Sequence, residues 1–126
     1  MKPKPLTVLA LGVALAMGHA AQAYDIKFTG KTLAGGKLME DLLARITGYS
    51  KSRYQCSFIF AVNSAIQPPG YVPRTPAFRV TSPRHSYERW TVNLCGKSRV
   101  FFVAFGNNAN GGADYKVQEL LDGVMP

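Results

Sequence analysis

The stretch YERWTVNLCGKSRVFFVAF, Tyr87–Phe105, decides the fold of this chain. It contains the only tryptophan, one of the two cysteines and the densest run of apolar residues after residue 23. Every second residue from Trp90 to Leu94 is apolar, which is the period of a strand with one buried face. We therefore predict a hairpin of two strands, Tyr87–Leu94 and Arg99–Phe105, joined by a tight turn at residues 95–98.

Residues 1–23 have the features of a secretory signal peptide. Two lysines lie in the first four residues, and the apolar segment Leu6–Met17 is too short to span a bilayer as a helix. Residues 21–23, Ala-Gln-Ala, form a cleavage site of the small-x-small type. We expect cleavage near Ala23, leaving one small domain at residues 24–126. The product would be periplasmic or secreted and would not span a membrane.

The cysteine count agrees with export. An even number of cysteines in a small exported domain usually indicates a disulfide, and Cys56 and Cys95 allow one pairing within the chain. By the chain-entropy estimate, a bridge between them would contribute about 4 kcal/mol to stability. The alternative is two free thiols in redox chemistry or metal binding, but the chain has no Cys-x-x-Cys motif.

The clearest helical pattern lies at Lys37–Thr47. Its apolar residues recur at helical spacing and form one stripe, which we expect to pack against a sheet. Gly48 is placed to end this helix. The stripe consists of Leu38, Met39, Leu42, Leu43 and Ile46.

Strand patterns also occur outside the hairpin, at Tyr24–Thr29, Tyr54–Val62 and Ala77–Thr81. Tyr115–Glu119 fits a last strand, but its apolar residues also fit helical spacing, so both readings stay open. Within the second of these strands, alternation places four residues on one face. They are Cys56, Phe58, Phe60 and Val62.

The order of these elements predicts an α+β domain. One helix would pack on an antiparallel sheet of four or five strands, with one disulfide. An all-β barrel or sandwich with an incidental helix is the alternative.

Positive charge is concentrated in the middle of the chain. Residues 45–99 contain nine Lys or Arg and a single acid, Glu88. Arginines interleaved with aromatic rings suit an acidic protein or an anionic envelope polymer, whereas nucleic acid is a poor match for an exported protein. The candidate binding residues are Arg74, Arg79, Arg84, Arg89, Tyr71 and Tyr87.

Motifs for catalysis are weak. After residue 23 the chain has one histidine, His85, and no nucleophile elbow or cluster of metal ligands. Gly96-Lys97-Ser98 is similar to the end of a phosphate-binding loop, but Thr91 occupies the position of the required first glycine. We therefore expect no catalytic residues, no metal and no cofactor.

The sequence thus predicts a non-enzymatic periplasmic or secreted binding protein. Two alternatives stay open. One is an accessory structural subunit of an envelope assembly. The other is a small hydrolase that uses His85 together with Glu88 and a serine in one cleft.

Part of the chain resembles small exported proteobacterial proteins of unknown function. The pattern consists of Glu88–Val92, Cys95–Lys97, Val100–Phe105 and Gly111-Gly112, all within residues 88–112. The resemblance implies an envelope or secreted location and a hairpin. It implies no activity and no functional residues.

Overall fold

The computed structural model describes residues 26–108 and 110–126. The predicted signal peptide lies outside the described residues, as do Tyr24 and Asp25 of the first predicted strand. The elements, in chain order, are β1 (Lys27–Gly30), α1 (Gly36–Tyr54), β2 (Ile59–Ile66), a 3₁₀ turn (Pro76–Phe78), β3 (His85–Leu94), β4 (Lys97–Asn107) and β5 (Ala113–Glu119).

The five strands form one open sheet in the order β1-β2-β3-β4-β5. Strand β1 runs parallel to β2, with α1 as the crossover between them, and the other neighbours are antiparallel. The predicted fold class, one helix on a sheet with one disulfide, is confirmed, although the sheet is mixed. The all-β alternative is wrong, because α1 covers one face of the sheet and supplies part of its core.

The predicted hairpin is confirmed and lies at the centre of the sheet. Trp90 faces Phe101 across the pair, and Leu94 faces Lys97. The turn is tighter than expected, because only two residues separate the strands, Cys95 at φ 52° and Gly96 at φ 90°. Positive φ at both central residues is the geometry that matches the twist of adjoining strands.

Helix α1 continues well beyond its predicted end. The prediction that Gly48 ends it is wrong, because the helix runs to Tyr54 and is closed by Gln55 in the left-handed conformation. Ser50 is fully buried, and the ring of Tyr49 packs edge-on against Phe101 at 5.9 Å. Packing in these last turns outweighs the cost of an interior glycine, which is about 1 kcal/mol.

The second predicted strand is shifted along the chain. Tyr54 belongs to α1, and a bulge directly after Ile59 changes the alternation within β2. As a result, Ile59 and Val62 are buried, whereas Phe58 and Phe60 are half exposed. The predicted apolar face containing both phenylalanines is therefore wrong, because a bulge inserts one residue that period-two reasoning does not count.

Two further strands were predicted after β2, and the structure confirms one of them. The strand predicted at Ala77–Thr81 is wrong, because this segment begins in the 3₁₀ turn and the Val80 amide donates to the Tyr87 hydroxyl, 2.8 Å away, instead of joining a ladder. The strand predicted at Tyr115–Glu119 is confirmed as part of β5, and its helical alternative is wrong.

The sheet has apolar clusters on both faces. The larger one lies under α1 and includes Trp90, which is fully buried. The smaller one lies on the opposite face, under the β2–β3 loop and the C-terminal tail. It consists of Tyr87, Phe102 and Ala104, with Tyr71, Phe78, Val80, Leu120 and Met125 packed against them.

The predicted disulfide is confirmed. Cys56 and Cys95 are bonded, with their Cα atoms 6.0 Å apart. The bridge joins the chain just after α1 to the turn of the central hairpin.

Within residues 26–108 and 110–126, no helix is long and apolar enough to cross a membrane.

Candidate functional site

The carboxylate of Glu88 is completely buried on the helix side of β3. Its Oε1 accepts hydrogen bonds from the Thr32 hydroxyl at 2.5 Å and the Trp90 indole at 2.9 Å. Its Oε2 accepts from the Leu33 amide at 2.9 Å and the Ser86 hydroxyl at 2.8 Å. All four donors are neutral, and neither ion pair of the described residues includes Glu88. The charge is therefore held by aligned dipoles rather than by a cation.

These bonds join two distant parts of the chain. Thr32 and Leu33 belong to the segment between β1 and α1, whereas Ser86 and Trp90 belong to β3. Glu88 thus attaches the segment before α1 to the central hairpin. Sequence reasoning considered Glu88 only as a partner for His85. The available signal was the Glu-x-Trp spacing, which places Glu88 on the buried face that Trp90 occupies.

A cleft of about 400 Å³ opens beside this buried carboxylate. It lies where β3 begins, β4 ends and β5 begins, next to the first turn of α1. Its lining is mixed, with apolar residues from several elements and polar or charged residues around the start of β3 and at the end of β4. The lining residues are Leu33, Leu38, Pro83, Arg84, His85, Ser86, Phe105, Gly106, Asn107 and Ala113.

Two of the groups that the hydrolase alternative required, His85 and Ser86, line the cleft, whereas the third, Glu88, is fully buried. Nδ1 of His85 lies 2.6 Å from the Ser82 carbonyl oxygen, and the Ser86 hydroxyl donates to Glu88. A serine–histidine pair would need a hydrogen bond between its two members. In this geometry His85 and Ser86 form hydrogen bonds with different partners, the Ser82 carbonyl and Glu88.

The two candidate tyrosines are part of the smaller apolar cluster. Tyr87 is buried, and its hydroxyl accepts the Val80 amide. Tyr71 is half buried, its ring lies 5.6 Å from that of Tyr87, and its hydroxyl donates to the Pro126 carbonyl. Burial, with a contribution from Tyr87, raises the pKa of Tyr71. Both rings therefore support the β2–β3 loop and the tail.

The four candidate arginines divide into two pairs. Arg79 donates to the carbonyls of Pro73 and Arg74 at 2.7 and 3.0 Å, and Arg89 donates to the Gly123 carbonyl at 3.2 Å. These two guanidiniums hold the loop and the tail in place. Arg74, Arg79 and Arg84 are all exposed, Arg89 is half buried, and Arg84 lines the cleft.

A second buried carboxylate, Glu119 at the end of β5, lies near the other end of α1. Its Oε1 accepts the hydroxyls of Tyr49 at 2.6 Å and Tyr54 at 2.5 Å. Its Oε2 is 3.6 Å from Nη1 of Arg99, whose guanidinium stacks on the Tyr54 ring. Burial, together with the hydrogen bond to Glu119, raises the pKa of Tyr49 to about 12. This cluster closes the core at the C-terminal end of α1.

Comparison with known proteins identifies no relative. No protein-family model matches the chain. Neither a curated protein nor a solved structure is significantly similar to it. The resemblance to small exported proteins of unknown function therefore stays a prediction.

Proposed function

We propose that this is a non-enzymatic periplasmic or secreted binding protein, whose basic surface binds an acidic protein or an anionic envelope polymer. One observation carries the proposal. Glu88, the only acid between residues 45 and 99, is enclosed by four neutral donors, so its charge is not presented at the surface. The ion pairs of the described residues, Lys37–Asp41 and Arg99–Glu119, include none of the four candidate arginines.

The arginines that hold the loop support this proposal as well. A guanidinium has five N–H donors, so Arg79 and Arg89 retain donors beyond those that reach backbone carbonyls. The hydrogen bonds of Arg79 also restrict the loop that carries Arg74, and a surface ordered in advance loses less entropy on binding. We assign Tyr71 and Tyr87 a supporting role beneath this surface, because neither ring is fully exposed.

The disulfide supports the proposed compartment. Disulfides persist in the periplasm and outside the cell, and thiols are kept reduced in the cytoplasm. An anionic partner in the envelope would meet the basic loop there. Because exposed charges are screened by ions, we expect binding to weaken as salt rises.

The test uses poly-L-glutamate as a model acidic partner, followed by envelope extract at two salt concentrations. The double variant Arg74→Ala/Arg84→Ala should bind poly-L-glutamate about fivefold more weakly, since each exposed charge contributes up to about 1 kcal/mol. The control, Lys31→Ala/Lys51→Ala, removes two exposed charges outside the loop and should bind like the wild type. Equal losses in both variants would reduce the proposal to a non-specific effect of net charge, and no loss in either would refute it.

The second candidate, an accessory structural subunit, is favoured by one observation. All four residues of the edge strand β1 are exposed, and the nearby phenylalanines Phe28, Phe58 and Phe60 are about half exposed. An uncovered edge strand can pair with another chain. Sedimentation of the disulfide-bonded protein would support this candidate if it shows a dimer or larger assembly, whereas a monomer alone and with envelope extract would argue against it.

A further inference from the structure

We propose that the cleft beside Glu88 binds a small amphiphilic anion, with an apolar body of the size of a medium-chain carboxylate. This site shares Arg84 with the basic surface proposed above, but the proposal does not depend on binding at that surface. The cleft has a volume of about 400 Å³. Sites for small molecules usually range from about 300 to 1,000 Å³ and combine apolar walls with a few polar groups.

The apolar part of the ligand would contact side chains from three parts of the chain, namely β4, α1 and the segment before α1. Phe105 of β4 is buried, and Leu38 of α1 is half buried. Leu33 is 66% exposed, although its own backbone amide is fixed by Glu88. An exposed leucine on an ordered backbone beside a cleft offers apolar area that a ligand can cover.

The anionic part would meet Arg84. Its side chain is exposed within the lining of the cleft and forms no ion pair with any acid of the described residues. Nearby polar groups come from His85 and Asn107. A guanidinium can donate two parallel hydrogen bonds to a carboxylate, which makes it a specific as well as an electrostatic partner.

The walls of the cleft are held before any ligand arrives. Glu88 accepts from Leu33 on one wall and from Ser86 on the other. The segment that carries Arg84 is joined to the end of β4 twice, by the Ser82 hydroxyl to the Asn107 carbonyl at 2.5 Å and by the Asn107 amide to the Arg84 carbonyl at 3.2 Å. Binding would therefore require little reorganisation.

This segment also lies close to the backbone of β4. A Cβ on Gly106 would lie 2.8 Å from both the Ser82 Cβ and the Val80 Cγ1. Such a distance is shorter than side chains tolerate, so the absence of a side chain at Gly106 allows this segment to pack directly on β4.

The test is a titration of the full, disulfide-bonded protein with octanoate, followed by backbone amide NMR shifts. We expect saturable shifts grouped at residues 33–38, 84–86 and 105–107. Across hexanoate, heptanoate and octanoate, affinity should rise about fourfold for each methylene that enters the cleft. Octylamine, which has the same chain and the opposite charge, should bind far more weakly.

Arg84→Ala tests the anionic part of the site, and Leu33→Ser compared with Arg74→Ala separates the site from the basic surface, because Arg84 belongs to both. Arg84→Ala should lower octanoate affinity about tenfold, as expected when a charged hydrogen bond is lost. Leu33→Ser should lower octanoate affinity while leaving poly-L-glutamate binding unchanged. Arg74→Ala should do the reverse. Non-saturating shifts, shifts centred on Phe58 and Phe60, or equal binding of octylamine would overturn the proposal.

Discussion

Glu88 and Glu119 both lie on the face of the sheet that packs against α1, and they are 0% and 7% exposed. Glu119 has a cation, Arg99, and its remaining bonds come from two tyrosines in the last turns of the helix. Glu88 has four neutral donors, two of which belong to the segment before the helix. Together they attach both ends of α1 to the sheet.

The two carboxylates differ in the number of hydrogen bonds that each of their oxygens accepts. Both oxygens of Glu88 accept from two donors each, and a wall of the cleft depends on these bonds. Within the described part of the chain, only one oxygen of Glu119 accepts hydrogen bonds, and the other lies 3.6 Å from a guanidinium. We therefore expect the protein to lose different amounts of stability when each of these two buried carboxylates is replaced. One of them, Glu88, lies beside a cleft that a ligand can reach.

The largest expected effect is loss of the disulfide, which borders the Glu119 end of the helix. The Cys56 amide donates to the Ser50 carbonyl, so the bridge holds the chain directly after α1. The variant Cys56→Ala/Cys95→Ala should lose about 4 kcal/mol in the free energy of unfolding measured by urea denaturation. Hydrogen exchange should increase more at the end of α1 than around Glu88, and a uniform increase would contradict this assignment.

Replacing each glutamate with glutamine tests whether Glu88 contributes more to stability than Glu119 does. In Glu88→Gln, the new amide group must face a donor on one side, so we expect a loss of about 2 kcal/mol. In Glu119→Gln, the amide can occupy the position near Arg99 while its oxygen keeps both tyrosine hydroxyls, so we expect a loss of about 1 kcal/mol or less. Urea denaturation of both variants measures the difference. Equal losses would show that the donor count does not control stability here.

The smallest expected effect is the contribution of Tyr49, in the Glu119 cluster, to the pH dependence of stability. The pKa of Tyr49 is about 12 in the folded protein, compared with an ordinary value of 10. The unfolded chain therefore loses this proton first, and the stability contributed by the neutral tyrosine is complete below pH 10 and lost as pH rises toward 12.

The matched control for this dependence is Tyr49→Phe. Its stability should fall less than that of the wild type between pH 10 and pH 12, as followed by thermal unfolding at each pH. Parallel curves for the two proteins would rule out Tyr49 as the source of the alkaline sensitivity.

Local patterns predicted the hairpin and the existence of α1, and they gave the last strand as one of two readings, because each depends on periodicity within a short window. They failed where contacts with distant residues shifted an element. Helix α1 passes Gly48 because Ser50 and Tyr49 pack in the core, and β2 is displaced by a bulge after Ile59. A single inserted residue reverses the alternation of a strand, and no local signal marks it.

The candidate site was predicted in part. Reasoning from charge identified Arg74 and Arg84, both of which are exposed. It did not distinguish them from Arg79 and Arg89, whose guanidiniums bind backbone carbonyls. Nor did it predict the burial of Tyr87. Whether an aromatic ring is a contact surface or a core residue depends on what the adjacent loop covers.

By itself, the sequence determined the central hairpin, the pairing of its two cysteines and the excess of positive charge between residues 45 and 99. These depend on local period, on a count of two and on composition. Only the tertiary structure decided that β1 pairs in parallel with β2, and that Glu88 accepts bonds from residues 55 and 56 positions away. A cleft between such partners exists only after long-range packing has placed them together, so no single stretch of sequence contains it.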